Sequence, residues 1–264
     1  MKKKKTFIIP FVLPCALSLI IMYLYPVIRT VIMSFFGIES VTADLSEWTF
    51  NGFNNYIKIF NSPTFQRAMT NMLLIWLVGG IIVLAFALLF AVILTSGIRF
   101  KKFFRAAIYL PNIISAVALA TMWIQYIYSQ KYGLLNQMLE MLGLEGKNWL
   151  GTDMKFWSML FAFIFGAVGY YMLIFISMTL PLLRSIFKTN ITFWSVNCIT
   201  FFLWSKMFSP VQTETSTVVP VVYLYDTVFG TTGNVQRDAG AGAAVGVCLA
   251  LFVAVVYFVM NKLL

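Results

Sequence analysis

The chain has 264 residues, of which 61% are hydrophobic, and its 19 Lys and Arg outnumber its 9 Asp and Glu for a formal net charge of +10. Soluble domains contain roughly half apolar and about a quarter charged residues, so this composition excludes an ordinary soluble fold. The absence of His excludes His-based metal sites and Ser–His or Cys–His catalysis. We therefore expect an all-α polytopic membrane protein, in one domain over residues 1–264, that is not an enzyme and needs no cofactor.

Six stretches are long and apolar enough to cross a bilayer, which takes about 20 mostly apolar residues in a helix. They cover residues 7–33, 72–95, 106–128, 156–178, 190–208 and 243–263. Between the first two, the apolar spacing over 53–60 predicts a helix along the membrane surface. Ser62 and Pro63 then predict an N-cap and the first turn of the next helix. The three cysteines lie inside apolar stretches, so we expect them to be buried apolar residues.

The charged residues divide unequally between the two sides that these spans define. Eleven Lys and Arg, and no acid, lie before span one, between spans two and three, between spans four and five, and after span six. The other segments contain all nine acids and seven bases, which leaves Lys206 inside span five. Basic residues accumulate on the cytoplasmic side of membrane proteins. The sequence therefore predicts six transmembrane helices with both termini in the cytoplasm, and the positive charge orients these helices rather than indicating nucleic-acid binding.

Span five places amide and aromatic side chains on one helical face, because they are spaced three or four residues apart. These candidate translocation-path residues are Asn190, Trp194, Asn197 and Trp204, with Phe201 between the last two. Such a face suits a polyhydroxylated ligand, since sugar C–H faces pack on aromatic rings while hydroxyls bond to amides. It also suits hydrogen bonding between neighbouring helices, and both interpretations stay open. Weaker candidates for the same path are Gln125, Tyr170 and Tyr171.

Three further features of the sequence bear on function and helix packing. No acid lies inside a predicted span, which disfavours coupling to protons or sodium. Gly242 and Gly246 form a G-x-x-x-G pattern, which predicts close packing against another helix. The chain also lacks a phosphate-binding loop of its own.

Five short motifs, in this order and spacing, resemble permease subunits of bacterial ABC importers for carbohydrates, of the maltose type. They are FNNY at 53–56, FRA at 104–106, LPNIIS at 110–115, MW at 122–123 and GLLN at 133–136. The resemblance implies a multi-pass subunit of the bacterial cytoplasmic membrane that forms half of the path for a sugar or a related solute. It also implies three kinds of partner: a second permease, two cytoplasmic ATPases and an extracytoplasmic solute-binding protein.

The chain departs from this family in the cytoplasmic loop before span five, which in the family carries a coupling helix that docks on the ATPase. Loop 177–189 retains only the last part of the family pattern, namely Thr179, Leu180, Pro181, Leu182 and Leu183. A loop this short leaves no room for an added docking helix, so we expect poor coupling to ATP hydrolysis. Two other functions remain open at this point: an ion-coupled or facilitative carrier that acts alone, and a membrane interaction subunit that transports nothing.

Overall fold

A computed structural model describes residues 2–177, 183–231 and 236–263, which are mostly helical. Helices α1 to α13 are, in order, Lys2–Leu19, Tyr25–Met33, Asn54–Phe60, Pro63–Leu74, Gly80–Thr95, Lys101–Ile113, Ala116–Met122, Leu134–Met141, Lys155–Ser177, Leu183–Ile199, Phe202–Phe208, Pro220–Phe229 and Ala239–Leu263. Three π-helical turns, Ile20–Leu24, Ile75–Gly79 and Trp123–Ile127, follow α1, α4 and α7. Leu45–Glu47 forms a 3-10 turn, and β1 (Phe36–Gly37) pairs antiparallel with β2 (Thr49–Phe50).

Four helical stretches of the described chain are long and apolar enough to cross a membrane. They are Phe11–Met33, Pro63–Thr95, Lys155–Ser177 and Ala239–Leu263. Each overlaps a predicted span, so the helices expected for spans one, two, four and six are confirmed. The helix that enters span two begins at Pro63, as predicted, and Phe65 N–H donates to the Ser62 Oγ at 3.4 Å. The predicted N-cap is therefore present.

Predicted span three, residues 106–128, is not one continuous helix. Helix α6 and the helical stretch Ala116–Ile127 form an angle of 97°, with Ile114 and Ser115 in extended conformation between them. Pro111 prepares this break, because it has no N–H to donate to the carbonyl of Ala107 one turn earlier. If this bent pair counts as one span, the described chain has five candidate spans.

Predicted span five, residues 190–208, is also divided. Helix α10 starts earlier, at Leu183, and ends at Ile199, while α11 starts at Phe202. With 17 and 7 residues, each is shorter than the roughly 20 residues that cross a bilayer. Thr179, Leu180, Pro181 and Leu182 of the predicted coupling loop lie outside the described residues, whereas Leu183 is the first residue of α10.

The chain forms two compact units. Unit 1 contains Met1–Asn61 and Leu224–Cys248, and unit 2 contains Ser62–Tyr223 and Leu249–Leu264. The prediction of a single domain over residues 1–264 stays a prediction.

Unit 1 is organised around the buried amide of Asn55, in the FNNY motif. Asn55 Nδ2 donates to the carbonyl oxygens of Ser34 at 2.9 Å and Phe36 at 2.8 Å. At the start of α13, a Cβ on Gly240 would overlap the same Phe36 oxygen, so glycine lets α13 approach this strand. Asn55 therefore has a structural role, because it donates hydrogen bonds to backbone carbonyl groups at the end of α2 and the start of β1. Buried carbonyl groups of this kind need a hydrogen-bond donor.

The apolar surfaces of unit 1 are largely uncovered. In the most apolar 18-residue window of Phe11–Met33 no residue is buried, and Cys15 is exposed there. The expectation that all three cysteines are buried is therefore wrong for Cys15, because it lies in this unburied stretch, whereas Cys198 is buried. In α3, the predicted surface helix, Phe53, Ile57 and Phe60 stay exposed along one side.

The two glycines of the G-x-x-x-G pattern differ in their surroundings. A Cβ on Gly242 would overlap the Val228 Cγ2 of α12, whereas one on Gly246 would lie at ordinary contact distances of 3.7 Å from Leu224 and 3.8 Å from Thr30. Close packing against another helix is thus present at Gly242, within unit 1.

Gly242→Ala is expected to destabilise the protein by about 1 kcal/mol, because Val228 must change its rotamer or α12 must shift. Gly246→Ala is the matched control and should be neutral or slightly stabilising, since the methyl group fits and the unfolded chain loses freedom. Thermal unfolding of the detergent-solubilised variants measures both effects. Equal losses of thermal stability in the two variants would contradict the close packing of Gly242 against α12.

Candidate functional site

Unit 2 contains a cavity of about 340 Å³ beside the break between α6 and α7. Helices α9, α10 and α11 supply the rest of its wall. The polar and aromatic lining residues are Asn112, Phe163, Tyr170, Tyr171, Phe193, Asn197 and Trp204. Irregular backbone at membrane depth is tolerated where it lines a cavity within the protein, so the helix break and the cavity belong together.

The amide and hydroxyl groups of the cavity are arranged by hydrogen bonds to one another and to the backbone. Asn197 Nδ2 donates to the Tyr171 hydroxyl at 2.6 Å, and Asn112 Nδ2 donates to the Gly166 carbonyl at 3.5 Å. The side-chain oxygen of each asparagine remains available to another hydrogen-bond partner. The second Nδ2 hydrogen of Asn197 is also available. A ligand with several hydroxyl groups has the complementary chemistry.

Aromatic rings surround these polar groups. The Phe163 ring lies 5.7 Å from the Trp204 ring and 4.7 Å from the Phe201 ring, both edge to face. The Tyr170 ring lies edge to face with Tyr171 at 5.2 Å. Rings held in this way are rigid apolar surfaces, and with the amides they give the cavity the mixed character expected of a site for polyhydroxylated compounds.

Glycines on α9 allow the neighbouring helices to form this wall. A Cβ on Gly169 would overlap the Ile108 carbonyl oxygen of α6 and would lie 2.8 Å from the Tyr109 Cα. A Cβ on Gly166 would meet only the end of the Leu119 side chain, at 2.9 Å. The backbone of α6 thus rests directly on α9 at Gly169, just before the helix break.

Four of the seven predicted path residues line the cavity, namely Tyr170, Tyr171, Asn197 and Trp204. Trp194 does not, although it lies three residues before Asn197 on the same helix. Its ring packs over Gly79 and Gly80, where a Cβ would come within 2.9 and 2.7 Å of it. Its Nε1 donates to the Trp76 carbonyl at 2.8 Å. Trp194 therefore matches the alternative of helix-to-helix hydrogen bonding.

The other two predicted path residues also lie away from the cavity lining. Asn190 is fully buried, and neither its side-chain oxygen nor its side-chain nitrogen has a hydrogen-bond partner in the described part of the chain. Gln125 lies in the π-helical turn Trp123–Ile127 and is exposed. Neither position supports a contact with a solute in this cavity.

Sequence reasoning missed Asn112, Phe163 and Phe193 as cavity residues. For Asn112 a signal existed, since it follows Pro111 inside a predicted span, where a helix break is expected. Phe163 and Phe193 carried no such signal, because phenylalanine is common throughout these apolar helices.

The loop after α11, residues 209–219, is fastened to three helices of unit 2. Ser205 Oγ donates to the Thr217 carbonyl at 2.7 Å, and Asn71 Nδ2 donates to the Val218 carbonyl at 2.8 Å. At the start of α9, Lys155 Nζ donates to both Glu214 carboxylate oxygens at 2.7 Å. Burial by itself would raise the pKa of Glu214, but hydrogen bonds and charge from Lys155 outweigh it and hold this pKa below its usual value.

The contribution of this ion pair to stability is expected to depend on pH. Because the Glu214 pKa is lowered on folding, the contribution is present above the pKa of the unfolded state and is lost as the pH falls through the folded value. The difference in thermal stability between the wild type and Glu214→Gln should therefore be constant near neutral pH and shrink below about pH 4.5. A difference that grows on acidification would contradict this; Asp153→Asn, at a carboxyl outside the pair, is the control.

In the described residues, no group of three or more His, Cys, Asp and Glu side chains is placed to hold a metal ion. The lining of the cavity likewise contains no His, Cys, Asp or Glu.

Comparison with solved structures identifies the fold. A bacterial ABC transporter involved in the import of the acidic polysaccharide alginate contains a chain that matches 99% of this chain and 96% of its own length, with a TM-score of 0.79 and 19% identity. A second structure, of a bacterial alginate ABC transporter in complex with an alginate pentasaccharide-bound periplasmic protein, gives a TM-score of 0.76 with 18% identity and covers 98% of this chain and 94% of that one. The fold is that of an ABC importer permease.

Sequence relatives agree with the fold. The probable ABC transporter permease protein YurN of Bacillus subtilis is 32% identical over 63% of this chain, which spans only 57% of YurN. The arabinooligosaccharides transport system permease protein AraP of Halalkalibacterium halodurans is 29% identical over 94% of this chain and 85% of its own length. No family model matches the chain. The chain is thus a homologue of the permeases of sugar ABC transporters, and these relatives are transport proteins rather than enzymes, as predicted.

Proposed function

We propose that this chain forms half of the translocation path of an ABC importer for a sugar or a related solute. The observation that carries the proposal is the cavity at the α6–α7 break, where Asn197, Tyr170 and Trp204 combine amide, hydroxyl and ring surfaces. Solute sites of transporters typically lie where membrane helices are discontinuous. The ion-coupled or facilitative carrier is not favoured, because the relatives are ABC permeases and no acid lies inside the candidate spans.

For the arrangement in the membrane, we propose six spans with both termini in the cytoplasm of a bacterium, in its cytoplasmic membrane. The fifth span then consists of α10 and α11 together, with a break at Thr200 and Phe201, and the third of the bent α6–α7 pair. The unequal division of charge supports this orientation, since eleven basic residues and no acid fall on the proposed cytoplasmic side.

The proposed partners are a second permease, two cytoplasmic ATPases and an extracytoplasmic solute-binding protein, all within a lipid bilayer. One matching importer structure contains a periplasmic protein bound to a pentasaccharide, which supports a binding protein and a sugar as partners. A second permease would complete a path of which this chain lines only one side, and the chain itself has no phosphate-binding loop to hydrolyse ATP.

We further propose that coupling to the ATPases is impaired. Five residues separate the described ends of α9 and α10, at Ser177 and Leu183. The alignment to AraP spans 279 positions and includes 94% of the 264 residues of this chain, which is about 248 residues. About 31 positions of the alignment are therefore gaps in this chain. Both observations agree with the loss of a docking segment.

Cysteine protection tests the proposed path without requiring ATP. Asn197→Cys is placed in a background without the three native cysteines, and its reaction with a maleimide is followed in nanodiscs that contain the second permease. An arabinooligosaccharide, lactose or another member of a sugar panel is expected to slow this reaction at least fivefold, because the solute fills the cavity. Gln125→Cys, outside the cavity, is the control and should not change. If no sugar protects Asn197→Cys, or if an ion gradient drives sugar uptake by this chain alone, the proposal is wrong.

A further inference from the structure

The sequence from Arg99 to Arg105 combines unpaired cations with exposed aromatic rings. Its four cationic residues are Arg99, Lys101, Lys102 and Arg105, all of them exposed, and none makes an ion pair in the part of the chain that the structure describes. The sequence has no acid between Glu47 and Glu140. A charge of +4 within seven residues is therefore left without an ion-pair partner among the described residues.

Three phenylalanines interrupt this run of cations. Phe100, Phe103 and Phe104 are 78%, 68% and 44% exposed. We call residues 99–105 the basic–aromatic segment. Exposed rings next to cations are characteristic of helices at a membrane interface, where rings enter the acyl boundary and cations meet headgroups.

The position of the segment on its helix agrees with such a location. Helix α6 is held to α9 by the close approach at Ile108 and Gly169. Lys101 lies seven residues before Ile108, which is about 10 Å along a helix. The cations thus lie at the free end of a helix whose later part is packed in the membrane domain, and the N-terminal end of the α6 dipole adds a partial positive charge there.

We propose that the basic–aromatic segment binds anionic phospholipid headgroups of the surrounding bilayer. Charge complementarity requires an anionic partner, and the three exposed rings favour a lipid over the water-exposed acidic surface of a protein. This inference does not depend on the solute or on ATPase coupling, so it stands or falls separately from the proposed transport function.

The test measures lipid binding to the full-length protein in neutral detergent by native mass spectrometry, with phosphatidylglycerol and phosphatidylcholine as probes. Phosphatidylglycerol should bind more tightly, and salt should weaken it. Lys101→Gln/Lys102→Gln/Arg105→Gln is expected to lower its affinity by about 10- to 100-fold, because each basic residue near an anionic surface contributes about a fivefold factor at most. The matched control, Lys131→Gln/Lys147→Gln/Arg237→Gln, removes the same charge from exposed positions elsewhere and should have little effect.

Several results would overturn the proposal. These are equal binding of the two lipids, equal losses in the test and control variants, or displacement of phosphatidylglycerol by millimolar inorganic phosphate, which would indicate a free anion as the ligand. Selective capture of a purified ATPase by the wild type, with no lipid preference, would assign the segment to a protein partner instead. If the triple variant fails to fold, the salt dependence of phosphatidylglycerol and phosphatidylcholine binding to the wild type still tests the proposal.

Discussion

Replacing residues 178–182 with the AraP loop is expected to make sugar-stimulated ATP hydrolysis at least tenfold faster than in the unchanged chain. The AraP loop is the segment between the helices that match α9 and α10. The physical reason is that the closure of two ATPases can move membrane helices only through an element that docks on them. The five residues between Ser177 and Leu183 are too few for such a helix. The rate is measured in proteoliposomes with the ATPases that serve AraP, a second permease and a binding protein.

The control for this graft is a Gly–Ser linker of the same length in the same place. It lengthens the loop without adding a docking helix, so it should leave ATP hydrolysis at the low rate of the original chain. Full sugar stimulation of the original chain, or equal recovery with the linker, would show that this loop does not limit coupling.

Gly169→Ala is expected to destabilise the protein by about 3 kcal/mol. The added Cβ would overlap the Ile108 carbonyl oxygen, and backbone cannot rotate away as a side chain can. Helix α6 must therefore move off α9, which also displaces Asn112 and the helix break that line the cavity. For a chain of this size the loss corresponds to a fall in the unfolding temperature of about 6 to 12 °C.

Gly166→Ala is the matched control, three residues earlier on the same helix. Its Cβ would meet only the Cδ2 of Leu119, at 2.9 Å, and a leucine end can shift by a few tenths of an ångström. We expect a loss below about 1 kcal/mol. Thermal unfolding followed by size-exclusion chromatography in detergent measures both variants. A Gly169→Ala protein as stable as Gly166→Ala would contradict the close approach of α6 and α9.

The transmembrane helices were predictable to the extent that they depend on local properties. Length and apolarity predicted the helices of spans one, two, four and six, because a helix that must satisfy its backbone in lipid is specified by its own residues. The amino-acid pattern also located the N-cap at Ser62. It did not predict that spans three and five are interrupted, since the 97° turn depends on what α6 and α7 pack against.

The candidate site shows the same limit at the level of single residues. Trp194 and Asn197 are three residues apart and were assigned to one helical face, yet Asn197 lines the cavity and Trp194 packs over Gly79 and Gly80. Nothing in the spacing along α10 distinguishes them. The difference comes from the neighbouring helix, where two glycines in sequence leave room for an indole ring.

The sequence alone predicted a helical membrane protein that resembles sugar permeases, and it predicted which way the helices face. These properties depend on composition, on the length of apolar stretches and on the sign of charges at their ends, all of which act within one segment. Only the tertiary structure decided where a solute can fit. A cavity exists where several helices leave the space between them unfilled. Here this space depends on Gly166, Gly169 and the helix break after Pro111 acting together.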